Sequence, residues 1–309
     1  MSEANKDNGG GTAVATPPAP RQSATVKELR ADSPTWCPGC GDFAVLSTYY
    51  KLCEKRAIPH EKITSVAGIG CSSRFPYFVN AHGAHFIHGR AIPFATGLSL
   101  SRPDLHVFTF SGDGDNFSIG GNHIDHVARK NVKMTLVVMD NGVYGLTKAQ
   151  TSPTSPIGFK SKTDPTGAMD QPINPMKKLV AAGASFIART HAGVPAHMIE
   201  IMEKAMDHNG FSVIECLSEC IEFYGGAFDA AHPRKGGQFQ LVPPDHDVTD
   251  EIGAYKLAQA PFPGYFGIFY KVQRATKNAN EQKLIDTART ATKNAPPLAL
   301  LQKTFDRMK

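Results

Sequence analysis

Two short stretches of this chain carry residues with chemistry to offer. The first is "WCPGCGD", Trp36 to Asp42, which sets Cys37 and Cys40 three positions apart around a proline and a glycine. Of the chain's 6 cysteines, Cys71 in "GIGCSSR" and Cys220 in "CLSEC" fall just past apolar runs, where loops begin. Cys53, inside a helical pattern, and Cys216, inside an apolar run, read as core residues. A thioredoxin-like dithiol would sit between a strand and a helix, and no strand pattern precedes Cys37. A c-type haem site needs histidine after the second cysteine, where this chain has Gly41. A metal cage remains, with two more ligands to find. Residue chemistry alone leaves zinc and an iron–sulfur cluster both open.

The second stretch is "FTFSGDGDNFSIGGNH". Gly112, Asp113 and Gly114 make a tight, open turn in which backbone N–H groups can approach a phosphate. Asp113 offers a hard oxygen to Mg²⁺. Neither this turn nor "GIGCSS" completes G-x-G-x-x-G, and no lysine completes a Walker loop. Asn141 follows a buried run in "VVMDNGVYGL". If both runs are adjacent parallel strands, Asp113, Asn141 and the carbonyl of Val143 can share one Mg²⁺, and through it a diphosphate.

Those residues need a sheet whose strands end at one edge. The pattern predicts helices over 42–56, 89–102 and 120–130, and strands over 62–68, 105–111 and 132–141. Beyond them come a helix in "NPMKKLVAAGA", a strand in "SFIART", a helix in "VPAHMIEIMEKAMDHNG" and a strand over 211–218. This alternation is an α/β fold, doubly wound, with a mostly parallel sheet. Such sheets bind ligands beyond the C-terminal strand ends. Residues 225–250 read as loop, followed by the aromatic patch "PFPGYFGIFY" and a polar helical stretch over 280–293. The expected organisation is a flexible tail over 1–28, a cofactor-binding domain over 29–250 and a C-terminal extension over 251–309, packing on a partner.

The chain has 309 residues, 41% of them hydrophobic and 20% charged, which suits a globular protein. A net charge of +5 spread along the chain, with no nucleic-acid motif, argues against a nucleic-acid partner. The polar start lacks the apolar core of a signal peptide, and no run approaches a membrane span. The expected location is the cytoplasm, where thiols stay reduced.

"GDG" followed at this spacing by asparagine resembles the thiamine diphosphate motif, with Asp140–Asn141 where two asparagines are usual. Over about residues 30–270 the chain resembles the beta subunit of the 2-oxoacid:ferredoxin oxidoreductases. The resemblance runs through "WCPGCGD", "GIGCSSR", "HGRAIPFATGL", "GDGD", "IGGNH" and "DNGVYGLTKAQTSPT". It implies the thiamine diphosphate-binding fold, Mg²⁺ and one [4Fe–4S] cluster. The cluster ligands would be Cys37, Cys40, Cys71 and Cys220, with Cys216 the rival to Cys220. The implied activity is CoA-dependent oxidative decarboxylation of 2-oxoglutarate to succinyl-CoA and CO₂, with electrons passing through the cluster to ferredoxin. An alpha subunit, in an α₂β₂ assembly, would supply the glutamate that activates thiamine.

The same resemblance implies roles around the cofactor. Gly70, Cys71 and Ser72 would lie near the thiazolium, and Asp42 stands where the family has an acidic residue near thiamine. Gly112, Gly114, Gly145, Leu146 and Thr147 would line the diphosphate region, with Lys148 near it. His88 would hydrogen-bond to thiamine or the substrate carbonyl, and Arg74 would clamp a carboxylate. His85 and Arg90 flank His88 with no assigned part. Pyruvate or a broad range of 2-oxoacids is the alternative substrate. A non-redox thiamine lyase or decarboxylase with structural zinc, and a zinc-stabilised scaffold, are the alternative functions.

Overall fold

The run Met134–Asp140 is apolar on both faces because it lies in the middle of the sheet. Val137 and Met139 pack into one core, while Met134, Leu136 and Val138 pack into another. This is the period-two alternation of a strand covered on both sides. The computed structural model describes residues 23–308. The strands are β1 (Ile63–Ala67), β2 (His82–His85), β3 (His106–Gly112), β4 (Met134–Asp140), a small hairpin of β5 (Val143–Tyr144) and β6 (Gln150–Thr151), β7 (Phe186–His191), β8 (Phe211–Leu217), β9 (Gln240–Leu241) and β10 (Tyr265–Lys271). Eight of them form one sheet in the order β2-β1-β3-β4-β8-β7-β10-β9. Every pairing in it is parallel except β10 with β7. The C-terminal ends of β1, β3, β4 and β8 therefore meet at one edge.

The helices are α1 (Val26–Leu29), α2 (Asp42–Lys55), α3 (Ala91–Ser101), α4 (Gly121–Lys130), α5 (Pro175–Ala181), α6 (Pro195–Asp207), α7 (Glu251–Leu257), α8 (Lys277–Ala291) and α9 (Pro297–Arg307). α2 and α6 bury residues such as Leu52 and Met202 in the first core, and α3, α4 and α5 bury Ile92, Ile124 and Leu179 in the second. The sheet is thus doubly wound. α4 is the crossover between β3 and β4, and these two strands are adjacent, with Gly112 opposite Met139. No helix among the described residues is long and apolar enough to cross a membrane.

Two expected boundaries differ from what is observed. Residues 1–22 of the expected tail lie outside the described residues. Ala24 and Leu29 are buried, and the Thr25–Glu28 capping box closes α1, so the docked chain begins before residue 29. The aromatic patch past residue 250 is a strand of the main sheet. Phe266 and Phe269 in β10 are fully buried, and β10 closes against β7 in antiparallel register. The stretch 218–264, with β9 and α7 in it, lies between β8 and β10 and hides this placement from sequence pattern.

Candidate active site

The loops after β1, β3 and β4 enclose a cleft at the C-terminal edge of the sheet. Gly70, Cys71 and Ser72 line it from the β1 side, and Gly112, Asp113 and Gly114 from the end of β3. Asn141, Val143, Gly145, Leu146 and Thr147 line it from β4 and the hairpin, and His88 closes it. Leu146 is exposed there, an apolar side chain left without a neighbour.

Asp113 is buried at the floor of the cleft. Thr154 Oγ1 lies 2.8 Å from Asp113 Oδ2 and 3.0 Å from Asp140 Oδ1. The hydroxyl has one hydrogen, so it can donate to only one of these carboxyl groups. Burial holds both acids above the usual carboxylate range, and the charge of Asp113 raises Asp140 further. No lysine or arginine is paired with Asp113 or Asp140 among the described residues. Two buried acids sharing one hydroxyl fit a place where a divalent cation supplies the missing positive charge. Asn141 Oδ1 accepts the N–H of Val143 at 3.1 Å, which folds the loop and leaves a second lone pair for a cation.

His88 is held by Asp115. Its Nδ1 lies 2.6 Å from Asp115 Oδ1, which also accepts the Gly89 N–H at 2.7 Å. Asp115 is 1% exposed and His88 34% exposed at the side chain. The ring is therefore anchored at Nδ1, which leaves Nε2 for the cleft. Burial raises the Asp115 carboxyl, and the His88 contact opposes that shift.

The thiols gather beside this cleft. A Cβ built on Gly145 would stand 3.3 Å from Cys220 Sγ, 3.8 Å from Cys71 Sγ and 3.9 Å from Asn141 Nδ2. One glycine thus leaves room for two sulfurs and the Asn141 side chain to converge on the same point. Cys40 and Cys37 lie within electrostatic reach of Cys71. Burial pushes the Cys71 thiol up to about 12 and raises Cys40 as well, with the Asp42 carboxylate and the other sulfurs adding to both. Burial raises the Cys220 thiol as well, opposed by the N–H groups of Phe223, Glu222 and Tyr224 directed at its sulfur. Trp36 Nε1 donates to the Cys71 carbonyl at 2.7 Å, tying the two cysteine-bearing loops together. Among the described residues no three His, Cys, Asp or Glu side chains already stand in a closed ligating array. A cationic centre bound among them would favour the thiolate forms that burial and crowding oppose.

Not every expected residue reaches the cleft. Asp42 is buried behind the thiols, where its Oδ1 accepts Ser218 Oγ at 2.6 Å, and it does not line the cleft. Arg74 sits beside Cys71, where its charge favours the thiolate, and it too is absent from the cleft lining. His85 faces Tyr77 at 2.8 Å, Arg90 pairs with His123, and Lys148 sits outside in a left-handed turn. Cys216 is fully buried, with its thiol against Met198. Pattern alone does not single out Asp115, Thr154 or Tyr144. The fourth residue of "GDGD" was a visible signal for Asp115; Thr154 had none short of the fold.

Tyr144 explains why Gly114 must be glycine. A Cβ there would stand 2.1 Å from the Tyr144 ring, and real structures do not tolerate that approach. Gly114→Ala is expected to displace the ring and weaken thiamine diphosphate binding by at least tenfold (about 1.4 kcal/mol). Fluorescence titration with the cofactor and Mg²⁺ measures it, and unchanged affinity would show that Tyr144 does not shape the site.

Known proteins resemble this chain in sequence and fold. The family model for the C-terminal, thiamine pyrophosphate-binding domain of thiamine pyrophosphate enzymes matches residues 68–216. That span holds Asp113 and Asn141 but neither Cys37, Cys40 nor Cys220. The chain is 40% identical over 238 residues to the 2-oxoglutarate oxidoreductase subunit KorB of Mycobacterium tuberculosis, covering 77% of this chain and 64% of that protein. It is 42% identical over 207 residues to the 2-oxoglutarate synthase subunit KorB of Methanothermobacter marburgensis, covering 66% of this chain and 73% of that one. Among solved structures, the 2-oxoglutarate:ferredoxin oxidoreductase of Magnetococcus marinus, with 2-oxoglutarate, coenzyme A and succinyl-CoA bound, superposes with a TM-score of 0.82. Identity there is 38%, over 90% of this chain and 94% of that chain.

Proposed function

The chain belongs to the beta subunits of the 2-oxoacid:ferredoxin oxidoreductases, and from that premise we propose that it carries out CoA-dependent oxidative decarboxylation of 2-oxoglutarate to succinyl-CoA and CO₂, reversibly, passing electrons to ferredoxin. The observation that carries this reading is the place of Gly145, whose missing Cβ would meet the Cys220 and Cys71 sulfurs and the Asn141 side chain together. A cation-held cofactor and a sulfur-held electron acceptor would then be near neighbours.

Thiamine diphosphate would supply the carbon nucleophile and electron sink for the 2-oxoacid, and a [4Fe–4S] cluster would take electrons singly. Asp113, Asn141 and the Val143 carbonyl would hold Mg²⁺, with Gly112, Gly114, Gly145, Leu146 and Thr147 around the diphosphate. Cys37, Cys40, Cys71 and Cys220 would hold the cluster. His88, fixed by Asp115, would present Nε2 to the substrate carbonyl or the cofactor. Arg74 lies beside Cys71, so a carboxylate-clamping role would need its side chain to swing toward the cleft.

An alpha subunit, in an α₂β₂ assembly, would complete the site with the activating glutamate, and the cytoplasm would keep the thiols reduced. Anaerobic assay of the complex should give about four irons and four sulfides per chain. Ferredoxin reduction should require CoA and proceed faster with 2-oxoglutarate than with pyruvate. Zinc in place of iron would sink the redox reading; a preference for pyruvate would change the substrate alone.

A further inference from the structure

A second cavity lies beside the cleft, and the proposed chemistry does not use it. It encloses about 330 Å³ toward the C-terminal ends of β4, β8 and β7, a size at the low end of small-molecule sites. The end of β4 and the turn after it stand between the two. Asn141 and Val143 line the cleft, while Asp140 and Gly142 line the cavity, and no residue lines both. Pro172, Ile173, Tyr224, Phe228 and Phe262 give the cavity a mainly apolar wall. The Phe228 and Phe262 ring centroids are 6.1 Å apart, and Phe262 is half exposed, so this side opens to solvent.

One cation stands on that wall. Arg189 of β7 lies opposite Glu215 of β8, and its Nε donates to Glu215 Oε2 at 2.5 Å. The Arg189 side chain is 13% exposed and that of Glu215 2%. The guanidinium also carries N–H donors on Nη1 and Nη2, and these make no hydrogen bond among the described residues. Donors shielded from water favour an acceptor, so the free edge of Arg189 is a place for an oxygen. Arg189 and Glu215 already cancel in charge, and Asp140, the remaining charge-bearing side chain of the wall, is an acid. Nothing there neutralises an incoming anion.

The geometry points to a second binding site, for an uncharged molecule with a planar apolar body and one carbonyl or amide oxygen. The oxygen accepts from the Nη1 and Nη2 edge of Arg189, and the body rests among Tyr224, Phe228 and Phe262, whose rings favour a flat partner. The site stands independently of what the thiols hold. A molecule in it lies against the back of the turn that presents Asn141 to the cleft.

Isothermal titration of the native complex with benzamide and with benzoate tests the site, since the two probes share a shape and differ in charge. Benzamide should bind saturably, once per chain, with the same affinity in the presence and absence of thiamine diphosphate and Mg²⁺. Benzoate should bind at least tenfold more weakly. Ala227→Leu fills the cavity from outside the cleft and should weaken benzamide at least tenfold. Arg189→Lys keeps a charge against Glu215 and loses the forked donors, and should do the same, with melting temperatures confirming that both variants fold. Benzoate binding as tightly as benzamide would overturn the uncharged ligand. Equal benzamide affinity in wild type and Ala227→Leu, or displacement of benzamide by the cofactor, would place the probe elsewhere and overturn the site. Absence of saturable binding would do so as well.

Discussion

Asp113→Ala is expected to weaken binding of Mg²⁺ with thiamine diphosphate by more than about 100-fold. Losing an outer partner of a metal ligand costs roughly 10–100-fold, and a direct charged ligand costs more. On the scale of 1.4 kcal/mol per tenfold, the loss exceeds about 2.8 kcal/mol. Folding should survive, because the carboxyl is buried at a cost of its own. Burial raises its pKa, and no cationic side chain pairs with it. Asp140→Asn is the contrast. Asp140 shares the Thr154 hydroxyl with Asp113 and feels its charge, but it is not one of the proposed cation ligands, so this change should fall within the smaller range. Isothermal titration of both variants, with their melting temperatures, separates the cases. Equal affinities for Asp113→Ala and wild type would remove Asp113 from the cofactor site.

On the proposed cluster assignment, Cys220→Ala is expected to lose nearly all of the iron and the broad visible absorption, while Cys216→Ala keeps both. The two cysteines are four positions apart, but the strand sends them to different places. Cys216 is the penultimate residue of β8, and its thiol packs on Met198 in the core beneath α6. Cys220 lies beyond the strand end, facing Gly145 and Cys71. Removing the Cys216 sulfur should cost about 1 kcal/mol, as a cavity of methyl size does. Iron and sulfide analysis with thermal melts checks both. Iron lost from Cys216→Ala and kept in Cys220→Ala would reverse the ligand assignment.

Much of this site is legible before folding, and the reasons are local. The β3 and β4 runs are apolar and close in sequence, joined by a helix of crossover length, so Asp113 and Asn141 could be placed side by side. Cys53 and Cys216 declare themselves by their apolar neighbours. What pattern misses depends on contacts between distant segments. Asp115 reads as one more loop acid until the β1 end, with Gly68 directly against its carboxyl, and the His88 loop close around it. Asp42 reads as a helix-start acid, which it is. Only its partner Ser218 shows where its carboxyl is tied. β10 is invisible for the same reason, since its place beside β7 is set across a long loop.

The hydrogen bond from Ser218 to Asp42 joins positions 176 apart in sequence. Gly41 seals the same junction, with its N–H on the Glu219 carbonyl and no room for a Cβ beside Ser218. During synthesis, Cys37, Cys40 and Cys71 are made long before the last thiol of the set. The fourth sulfur reaches them only when β8 has paired with β4, a contact of high sequence separation and slow closure. On the proposed iron–sulfur reading, metal loading would be a late step in biogenesis. Delivery of iron and sulfide would then meet a finished sheet edge rather than a growing chain, and any condition that delays β8 would leave three thiols waiting for the fourth.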